Sequence, residues 1–466
     1  MLNAYYDPHE AARLEVATRS AERQRRFLCS LDPDSVLLDD FRELIEAAHA
    51  RRANANAGAP VREKGAPLRV LLLGYAGAGN TGADVRTIET LRQLRRRFAD
   101  QPLELTVFAC GNIFDHPELR AANVLMPSDV YLPDALDAAM DRFDVVLNVE
   151  GSTYTSKFSD ALAALLIGGV GLAAAHGRFA CAYGIDAGAM SARLERFAPA
   201  TARDVKIVCR SRGTAERLAG LGIATHDGAD TAWAFRAAPN SLPPLPPRYA
   251  VLCPNNPFWW PVHTDVRRAL ELDVTGAKSP LRYGPLYFHS WDDLRAARFA
   301  AYKRSFAAIA DGLRRRGYAP VLVAMEQLDR AACEEIAALL PFDVPIITRG
   351  VHSLDTVVAT LESAQWVVTT RYHASVLAIA NRVPVVGVSM DARIDQLFEE
   401  NGLADWTIPC DERGFEQRAL ERIDAGIGAT LDSLRDAYAA LTQREIAKFE
   451  QMGLQLKRDV DAFFQR

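Results

Sequence analysis

Short apolar runs alternate with amphipathic and glycine-rich stretches from Leu68 onward, and this pattern predicts an α/β fold. The predicted strands of the first half are LRVLLLG, LELTVFA, FDVVLNVEG, FACAYGI and VKIVCRS, and a helical pattern such as Thr87–Phe98 separates the first two. Repeats of strand, turn and helix are typical of a mostly parallel sheet with helices on both faces.

A proline-rich segment, AAPNSLPPLPPR at 237–248, divides this pattern in two. Its five prolines can continue neither a helix nor a central strand. The α/β pattern resumes with YAVLCP, APVLVAME, VPIITRG, WVVTT and PVVGVS, interrupted by an irregular, aromatic-rich insertion over 255–292. We therefore predict two doubly wound, Rossmann-like domains that face a cleft, one over residues 68–240 and one over 241–428.

The two ends of the chain are predicted to be helical additions to these domains. The first residues are charged and helical in pattern, and the polar segment Arg51–Pro67 follows as a linker. Residues 1–67 are therefore expected to form an appended helical segment. Residues 429–466 predict one or two amphipathic helices that pack back across the first domain.

Composition narrows the classes of function. Of the 466 residues, 49% are hydrophobic and 24% charged, as in globular proteins, and the formal net charge of -5 gives no bulk attraction for nucleic acid. The seven cysteines are scattered without a CxxC pair, which is typical of a reducing compartment. The sequence has no HExxH pattern and no GxSxG elbow, so neither a metal site nor a serine hydrolase is expected.

No segment of the sequence is predicted to span a membrane. The longest apolar run, Ala161–Ala175, contains three glycines and favours a core helix. The N-terminus lacks the basic-then-apolar pattern of a secretion signal, so we expect a cytoplasmic protein. The basic stretch RSAERQRRF at 19–27 leaves open a weak peripheral contact with an anionic membrane. The oligomeric state is not predicted.

The segment TTRYHASVLAIANRVPVVGVS places an arginine and a histidine between a strand and a helix. WVVTT, at 366–370, predicts the strand and Ala374–Asn381 the helix, so Arg371 and His373 lie in the turn between them. Free backbone N–H groups and the helix dipole favour negative charge at such a turn. We therefore predict that this turn binds an anion.

A glycine loop after the first strand is the second candidate site. In YAGAGNTGAD, Gly77, Gly79 and Gly82 satisfy GxGxxG directly before a helix, a pattern of dinucleotide-binding proteins. The acidic residue that binds the ribose in such proteins is missing after LELTVFACGN, which disfavours a nicotinamide or flavin cofactor. A purely structural tight turn is an alternative. We favour a loop that binds the acceptor through its N–H groups, Asn80 and Asp84.

These motifs together resemble the polysaccharide pyruvyl transferase family. The matching segments, which agree in order and spacing from Leu68 to about Trp406, are GYAGAGNTGAD, NVEGSTY, YGIDAG, CRSRGTAERLAGLGI, DTAWAF and TTRYHASVLAIANRVPVVGVS. Arg371 and His373 match the most specific motif, an arginine and a histidine separated by one residue. The resemblance implies a GT-B-like fold and transfer of a pyruvyl group, commonly as a ketal, from phosphoenolpyruvate as co-substrate to a sugar, with no further cofactor.

Two departures from the family pattern concern the donor site. The arginine that is usually followed by aspartate is Arg210, and Ser211 follows it here. The strand that opens the second domain lacks the terminal arginine often found there. The resemblance implies donor binding by Arg371, Arg210 and Arg212, and the insertion offers replacements for the missing cation. These replacements are Lys278, Arg282 and His289.

The chemistry of phosphoenolpyruvate gives the two central residues separate roles. An arginine fork matches the carboxylate and the phosphate of the donor, which is the role expected for Arg371. Transfer requires protonation of the enol carbon before a sugar hydroxyl attacks, and His373 is the expected acid. Glu150, at the end of FDVVLNVEG, is a candidate base for that hydroxyl and equally a candidate cap for the next helix.

Other interpretations of these residues remain open at this point. Arg371 would have a structural role if it paired with Asp391 or Asp395, and so would His373 if a backbone carbonyl held it. The functional alternatives are a GT-B glycosyltransferase that uses a nucleotide-sugar and a catalytically silent protein that binds an anion or a sugar. The aromatic insertion is either a lid or a surface on which a sugar stacks.

Overall fold

The protein is described by a computed structural model. It contains two parallel β-sheets, one in each half of the chain. The structure describes residues 8–54, 62, 65–126 and 131–465, with side chains from residue 17 onward. Residues 55–61, 63 and 64 of the predicted linker lie outside the described residues. Every strand pairing in the two sheets is parallel, which confirms the predicted α/β fold.

The first sheet is formed by strands between the N-terminal segment and the proline-rich break. They are β1 (Leu68–Ala76), β2 (Leu103–Ala109), β3 (Asn123–Leu125), β4 (Val145–Asn148), β5 (Ser152–Tyr154), β6 (Phe179–Ala187), β7 (Val205–Cys209) and β8 (His226–Asp227). Their order is β3-β2-β1-β4-β6-β7-β8, and β5 pairs with β6.

Helices precede this sheet in the chain and connect its strands. They are α1 (Pro8–Cys29), α2 (Pro33–Asn54), α3 (Thr81–Arg97), α4 (Pro117–Arg120), α5 (Leu132–Ala139), α6 (Asp160–Ala175), α7 (Ala192–Thr201) and α8 (Arg212–Gly220), with 3-10 turns at Met140–Arg142 and Thr231–Ala234. The predicted appended helical segment is thus the pair α1 and α2.

The second half contains a parallel sheet and a small antiparallel sheet in the insertion. The strands are β9 (Tyr249–Cys253), β10 (Val262–Thr264), β11 (Arg282–Tyr283), β12 (Tyr287–His289), β13 (Ala319–Ala324), β14 (Ile346–Thr348), β15 (Trp366–Thr369), β16 (Val385–Ser389) and β17 (Thr407–Pro409). The parallel sheet has the order β14-β13-β9-β15-β16-β17, and the insertion has the order β10-β12-β11.

The helices of the second half flank this sheet and end the chain. They are α9 (Val266–Thr275), α10 (Asp293–Arg315), α11 (Arg330–Ala337), α12 (Leu354–Glu362), α13 (Tyr372–Ala380), α14 (Ala392–Glu399), α15 (Phe415–Ala425) and α16 (Ala429–Phe464), with 3-10 turns at Gln327–Asp329 and Ala404–Trp406. None of the described helices is long and apolar enough to cross a membrane.

In each parallel sheet, the strand that comes first in the chain lies in the interior, and later strands are added on both sides of it, so the order of strand addition reverses there. β1 lies between β2 and β4, and β9 lies between β13 and β15. Ligands of open α/β sheets bind at the carboxyl ends of the strands on either side of such a reversal. The two reversals lie close together, because the N–H of Thr81, at the start of α3, donates to the carbonyl of Met325, which follows β13, over 2.9 Å. The topology therefore directs both switch points toward one cleft.

The apolar run at 161–175 forms a core helix, α6, as predicted. Its glycines allow close packing on two sides. A Cβ atom at Gly168 would lie 2.6 Å from the ring of Phe41 on α2, and a Cβ at Gly169 would lie 2.6 Å from Leu73 on β1. The second of the two N-terminal helices, α2, therefore packs directly on α6.

The C-terminal residues form one long helix, α16, that returns to the first half of the chain. The Tyr438 hydroxyl accepts from the N–H of Val385 in the second sheet, over 3.3 Å. Three turns later, the Gln93 amide on α3 donates to the carbonyl of Phe449 over 2.7 Å. One helix thus contacts both domains.

A buried ion cluster joins the domains beside the cleft. Arg349, directly after β14, lies 2.8 Å from Asp84 on α3 and 2.6 Å from Asp115, and the side chains of Arg349 and Asp84 have no exposed surface. Removing one partner of a buried pair leaves an uncompensated charge, which is strongly destabilising. We infer that this cluster fixes the relative position of the two sheets.

Replacement of Arg349 by methionine should lower the free energy of unfolding by about 3–5 kcal/mol, because Asp84 would stay buried without its cation. Urea unfolding followed by tryptophan fluorescence measures the loss. Arg315→Met is the matched control, since Arg315 pairs with Asp311 on an exposed helix face and should cost less than about 1 kcal/mol. Equal losses in the two variants would contradict the structural role of Arg349.

Candidate functional site

A cavity of about 280 Å³ lies between the facing carboxyl ends of the two parallel sheets. Four residues predicted from the sequence contribute to its wall: Asn80, Glu150, Arg371 and His373. The first two come from the first domain and the other two from the second. The cavity therefore brings together the glycine loop, the end of β4 and the arginine–histidine turn.

Arg371 is the N-cap residue of α13 and is held by two acids. Its N–H donates to the hydroxyl of Thr369 over 2.8 Å, which fixes the turn. Its guanidinium donates from Nε to Asp329 over 2.8 Å and from Nη2 to Glu326 over 3.1 Å. The structural alternative predicted from the sequence, that Arg371 forms an ion pair, is therefore confirmed. Both proposed partners, Asp391 and Asp395, were wrong.

Glu326 is a buried acid in the wall of the cavity, and its surroundings perturb its ionisation strongly. It follows β13 at the carboxyl edge of the second sheet and accepts from the Asn80 amide across the cleft over 3.1 Å. Burial raises the pKa of Glu326 to about 7, against the lowering effect of Arg371. Burial also raises the pKa of Asp329. Glu326 can therefore take up or release a proton near neutral pH.

His373 lies in the first turn of α13, and an acid of the other domain holds its ring. Its Nε2 is 3.3 Å from a carboxylate oxygen of Asp230. Burial lowers the pKa of His373, an effect that Asp230 opposes and that Arg210 and Arg86 reinforce. The imidazole is therefore neutral at pH 7 before a ligand binds, with Nε2 donating to Asp230 and Nδ1 left as an acceptor.

Asp230 is the centre of a second buried charge cluster behind the cavity. Arg86 and Arg210 lie 2.6 Å and 2.7 Å from its carboxylate. Burial alone would raise its pKa, but Arg86, His373 and Arg210 hold the pKa of Asp230 well below its usual range. The carboxylate thus stays ionised and orients the histidine.

Arg210 is a structural part of that cluster and does not line the 280 Å³ cavity. It also bonds Asp186 over 2.5 Å, and its guanidinium stacks 4.0 Å from the ring of Tyr372. It faces a separate cleft of about 160 Å³ near α16. Ser211, which replaces the usual aspartate, caps α8 by accepting from the N–H of Thr214.

Four predicted donor residues lie away from the cavity, and this corrects the sequence-based expectation. Arg212 is exposed on α8, and Lys278 is exposed in the insertion. Arg282 pairs with Asp273 over 2.7 Å at the surface. His289 is buried against Trp259, with ring centroids 4.5 Å apart, and burial lowers its pKa to about 4. None of these four is among the described residues that line the cavity.

The glycine loop serves mainly to bring α3 close to the second domain. Gly77 and Gly79 have φ values of +76° and +73°, a region that favours glycine. The N–H of Gly77 donates to Asp84, which is buried against Arg349, so Asp84 cannot bind an acceptor as predicted. A Cβ atom at Gly82 would lie 2.0 Å from Nδ1 of His373. The missing side chain of Gly82 therefore leaves the space that the His373 ring occupies.

Glu150 is a buried acid in the wall of the cavity, directly after β4. Its carboxylate accepts from the N–H of Ser152 over 3.2 Å. The cap of the next helix, α6, is Ser159 instead, so the predicted helix-capping alternative for Glu150 is wrong.

Sequence reasoning missed residues whose importance depends on the meeting of the two domains. Glu326 ends the motif AME and stands at the carboxyl end of a strand, the position that drew attention to Glu150. Asp230 lies in DTAWAF, one of the segments of the family resemblance. Arg393 on α14 crosses the cleft and donates to the Ser152 hydroxyl over 2.9 Å, while it pairs with Asp391 over 2.7 Å.

Comparison with known proteins confirms the resemblance seen in the sequence. The family model described as polysaccharide pyruvyl transferase matches residues 187–391. This span contains Arg210, Asp230, Glu326, Arg371 and His373, and it supports assignment of the protein as a transferase. No curated protein matches the chain.

Solved structures show what the chain is similar to in fold. Anabaena HepE in complex with UDP-glucose is 12% identical, with a TM-score of 0.52 and coverage of 84% of this chain and 99% of that chain. The same protein in complex with UDP and glucose gives a TM-score of 0.50 at the same identity and coverage. At this identity the likeness concerns the GT-B fold alone, which is confirmed.

Replacement of Glu326 by glutamine should stabilise the protein progressively, relative to the wild type, as the pH rises from 5 to 8. The folded state holds the Glu326 proton up to about pH 7, whereas the unfolded chain releases it near its ordinary pKa of 4.5. Wild-type stability therefore falls over that interval, and an uncharged side chain avoids the loss. Urea unfolding of both proteins at the two pH values measures the difference. Glu334→Gln, at an exposed site on α11, is the control, and an identical pH trend there would contradict the assignment.

Replacement of Gly82 by alanine should lower the free energy of unfolding by about 1–3 kcal/mol, because the added methyl group overlaps the His373 ring. Gly220→Ala is the control: nothing lies within 4 Å of a Cβ at that helical position. It should be neutral or stabilising by up to about 1 kcal/mol. Thermal unfolding of the two variants provides the comparison. A harmless Gly82→Ala would mean that the histidine is not held against α3.

Proposed function

We propose that this protein transfers a pyruvyl group from phosphoenolpyruvate to hydroxyl groups of a sugar bound in the cavity between its domains. The observation that carries the proposal is the convergence of Arg371 and His373 of the family-matched region with Glu150 of the other domain on one cavity. An anion site, a proton donor and a base are the three elements that this reaction requires.

The anion site is formed by Arg371 at the N-terminus of α13. Asp329 and Glu326 balance the charge of its guanidinium, so Arg371 is not a free cation that would attract a further anion by itself. Glu326 changes this balance, because its pKa of about 7 allows protonation at neutral pH. Protonation removes one negative charge beside the arginine and allows a carboxylate or phosphate to take its place.

The proton donor is His373. Binding of phosphoenolpyruvate would itself favour the protonated form of this residue. Burial lowers the pKa of His373 in the free protein, so its ring starts neutral. An anion placed beside the ring favours the imidazolium, and Asp230 stabilises that charge at Nε2. The proton then passes to the methylene carbon of phosphoenolpyruvate, which leaves a cation at the central carbon.

The acceptor completes the reaction with two hydroxyl groups. The first adds to the cationic carbon and forms a C–O bond, and its proton passes to the Glu150 carboxylate. The second hydroxyl forms the other C–O bond as the bond from that carbon to the phosphate oxygen breaks, and the departing phosphate takes the proton of this hydroxyl. The products are a pyruvyl ketal and inorganic phosphate, with the reactant atoms conserved. Glu150 belongs to the first domain and His373 to the second, and both line the cavity, which supports their proposed roles as base and acid.

Phosphoenolpyruvate should raise the thermal unfolding midpoint of the wild-type protein, because a ligand that binds only the native state stabilises it by about 2.7 kcal/mol at a hundredfold excess over its Kd. The shift should be lost in Arg371→Lys, which keeps the charge without the fork, and in Arg371→Ala. It should persist in the exposed control Arg315→Ala. His373→Gln should retain the shift and lose phosphate release in the presence of sugar acceptors.

A shift with UDP-glucose and none with phosphoenolpyruvate would contradict this proposal and support the nucleotide-sugar alternative. Near-normal phosphate release by His373→Gln would remove the histidine from the mechanism. Binding without turnover in both the wild type and His373→Gln, over a panel of sugars, would support the silent binding protein instead.

A further inference from the structure

The cavity has a second, apolar wall that the proposed reaction does not use. Its lining includes Leu37 of α2, Leu132 of α5, and Leu162 and Leu165 of α6. All of these belong to, or pack against, one contiguous hydrophobic cluster in the first domain. The polar groups named above therefore occupy one part of the cavity, and a continuous aliphatic surface forms another.

Two additions to the paired sheets enclose this apolar wall. Leu37 belongs to the N-terminal helical pair, and Val262 and Tyr287 belong to the small antiparallel sheet of the insertion. The additions contact each other, since the Thr264 hydroxyl donates to the buried Asp34 over 2.5 Å. The N–H of Val262 also donates to the carbonyl of Phe158, beside α6, over 2.7 Å. The wall is thus a fixed part of the cavity.

An unsubstituted sugar is a poor occupant for such a surface. Its hydroxyl groups would lose water against leucine and valine side chains, which offer no hydrogen bonds, and each unpaired hydroxyl costs free energy. A hydrophobic group gains free energy in proportion to the apolar area that it buries. The chemistry of the wall therefore selects against a bare sugar at this end and for an apolar substituent.

We infer that the apolar end binds a hydrophobic aglycone, an aromatic ring or a short alkyl chain, carried by the acceptor sugar. Apolar cavities near 150 Å³ hold a ring the size of benzene, so the cavity of about 280 Å³ is large enough to take such a ring at its apolar end. Trp260 and Tyr283, in edge-on contact at 5.9 Å, line the same cavity and offer aromatic surface to the sugar. That this sugar is the pyruvyl acceptor rests on the proposed function, whereas binding of the aglycone does not.

The N-terminal helices and the insertion then share one role. They determine which acceptor the cleft accepts, while the paired sheets supply the groups for transfer. The aglycone has two sources, a small soluble glycoside or a membrane glycolipid of which only the first carbons enter. Both present the same apolar chemistry, and the dependence of affinity on chain length separates them.

The test is a calorimetric titration of the full-length protein, without phosphoenolpyruvate, with methyl, butyl, hexyl and octyl β-glucosides and β-galactosides. Affinity should rise roughly three- to fourfold per methylene until the cavity is full. A plateau by about six carbons indicates a small glycoside, and a rise that continues to octyl indicates a lipid chain that leaves the cavity. Equal affinity for the methyl and hexyl compounds of both sugars overturns the inference.

Leu162→Phe and Leu132→Phe place bulk at the apolar end, at two partly buried positions, so that at least one variant is expected to fold. Each should weaken hexyl glycoside binding at least tenfold. Leu270→Phe, at an exposed position of α9, is the matched control and should bind as the wild type does. Equal loss in the control, or no loss in both cavity variants, would place the alkyl chain elsewhere and contradict the inference.

Phosphate release from phosphoenolpyruvate, with 4-nitrophenyl and methyl glycosides as acceptors, links this binding to the proposed reaction. A higher kcat/KM for the aryl compound supports both conclusions. Chain-length-dependent binding without phosphate release would overturn the pyruvyl transfer and leave the aglycone site in place. Phosphate release without preference for the aryl compound would support the pyruvyl transfer and overturn the aglycone site.

Discussion

Mutual neutralisation of buried charge across the cleft is the constraint on which the rest of this structure depends. The N-termini of α3 and α13 meet there, and both helix dipoles direct partial positive charge into the same space. Two buried carboxylates of the first domain face side chains of the second: Asp84 faces Arg349, and Asp230 faces His373. The carboxylates that pair with Arg349, Asp84 and Asp115, both belong to the first domain, so this buried charge is balanced only when the two sheets face each other.

A second neutralisation, within the second domain, concerns the anion site of the proposed function. A surface arginine would attract phosphate through its net charge, but Arg371 is already engaged by Asp329 and Glu326. Under the proposed function, selectivity would arise from exchange, in which a ligand carboxylate or phosphate substitutes for an internal acid that has become protonated. The perturbed pKa of Glu326 places this exchange near neutral pH. An arginine that is saturated by internal partners is also less prone to retain unrelated anions.

The sequence predicted the parts of this arrangement that local rules determine. The parallel sheets, the arginine–histidine turn and the acid after β4 all follow from strand and helix periodicity and from the positions where strands end. The partners of Arg371 did not follow, because Glu326 and Asp329 lie more than forty positions earlier in the chain and meet it through the second sheet. Asp84 was misplaced for the same reason, since only the position of Arg349 shows that it is structural.

The contact between Gly82 and His373 links the chemistry of the site to the position of the two domains. The imidazole is fixed by Asp230 and by a glycine of α3, both in the first domain, although its backbone belongs to the second. Any separation of the sheets would withdraw the ring from its carboxylate. Under the proposed mechanism, the acid would then exist only while the two sheets face each other, so phosphoenolpyruvate in an open cleft would meet no proton donor and would be protected from futile hydrolysis.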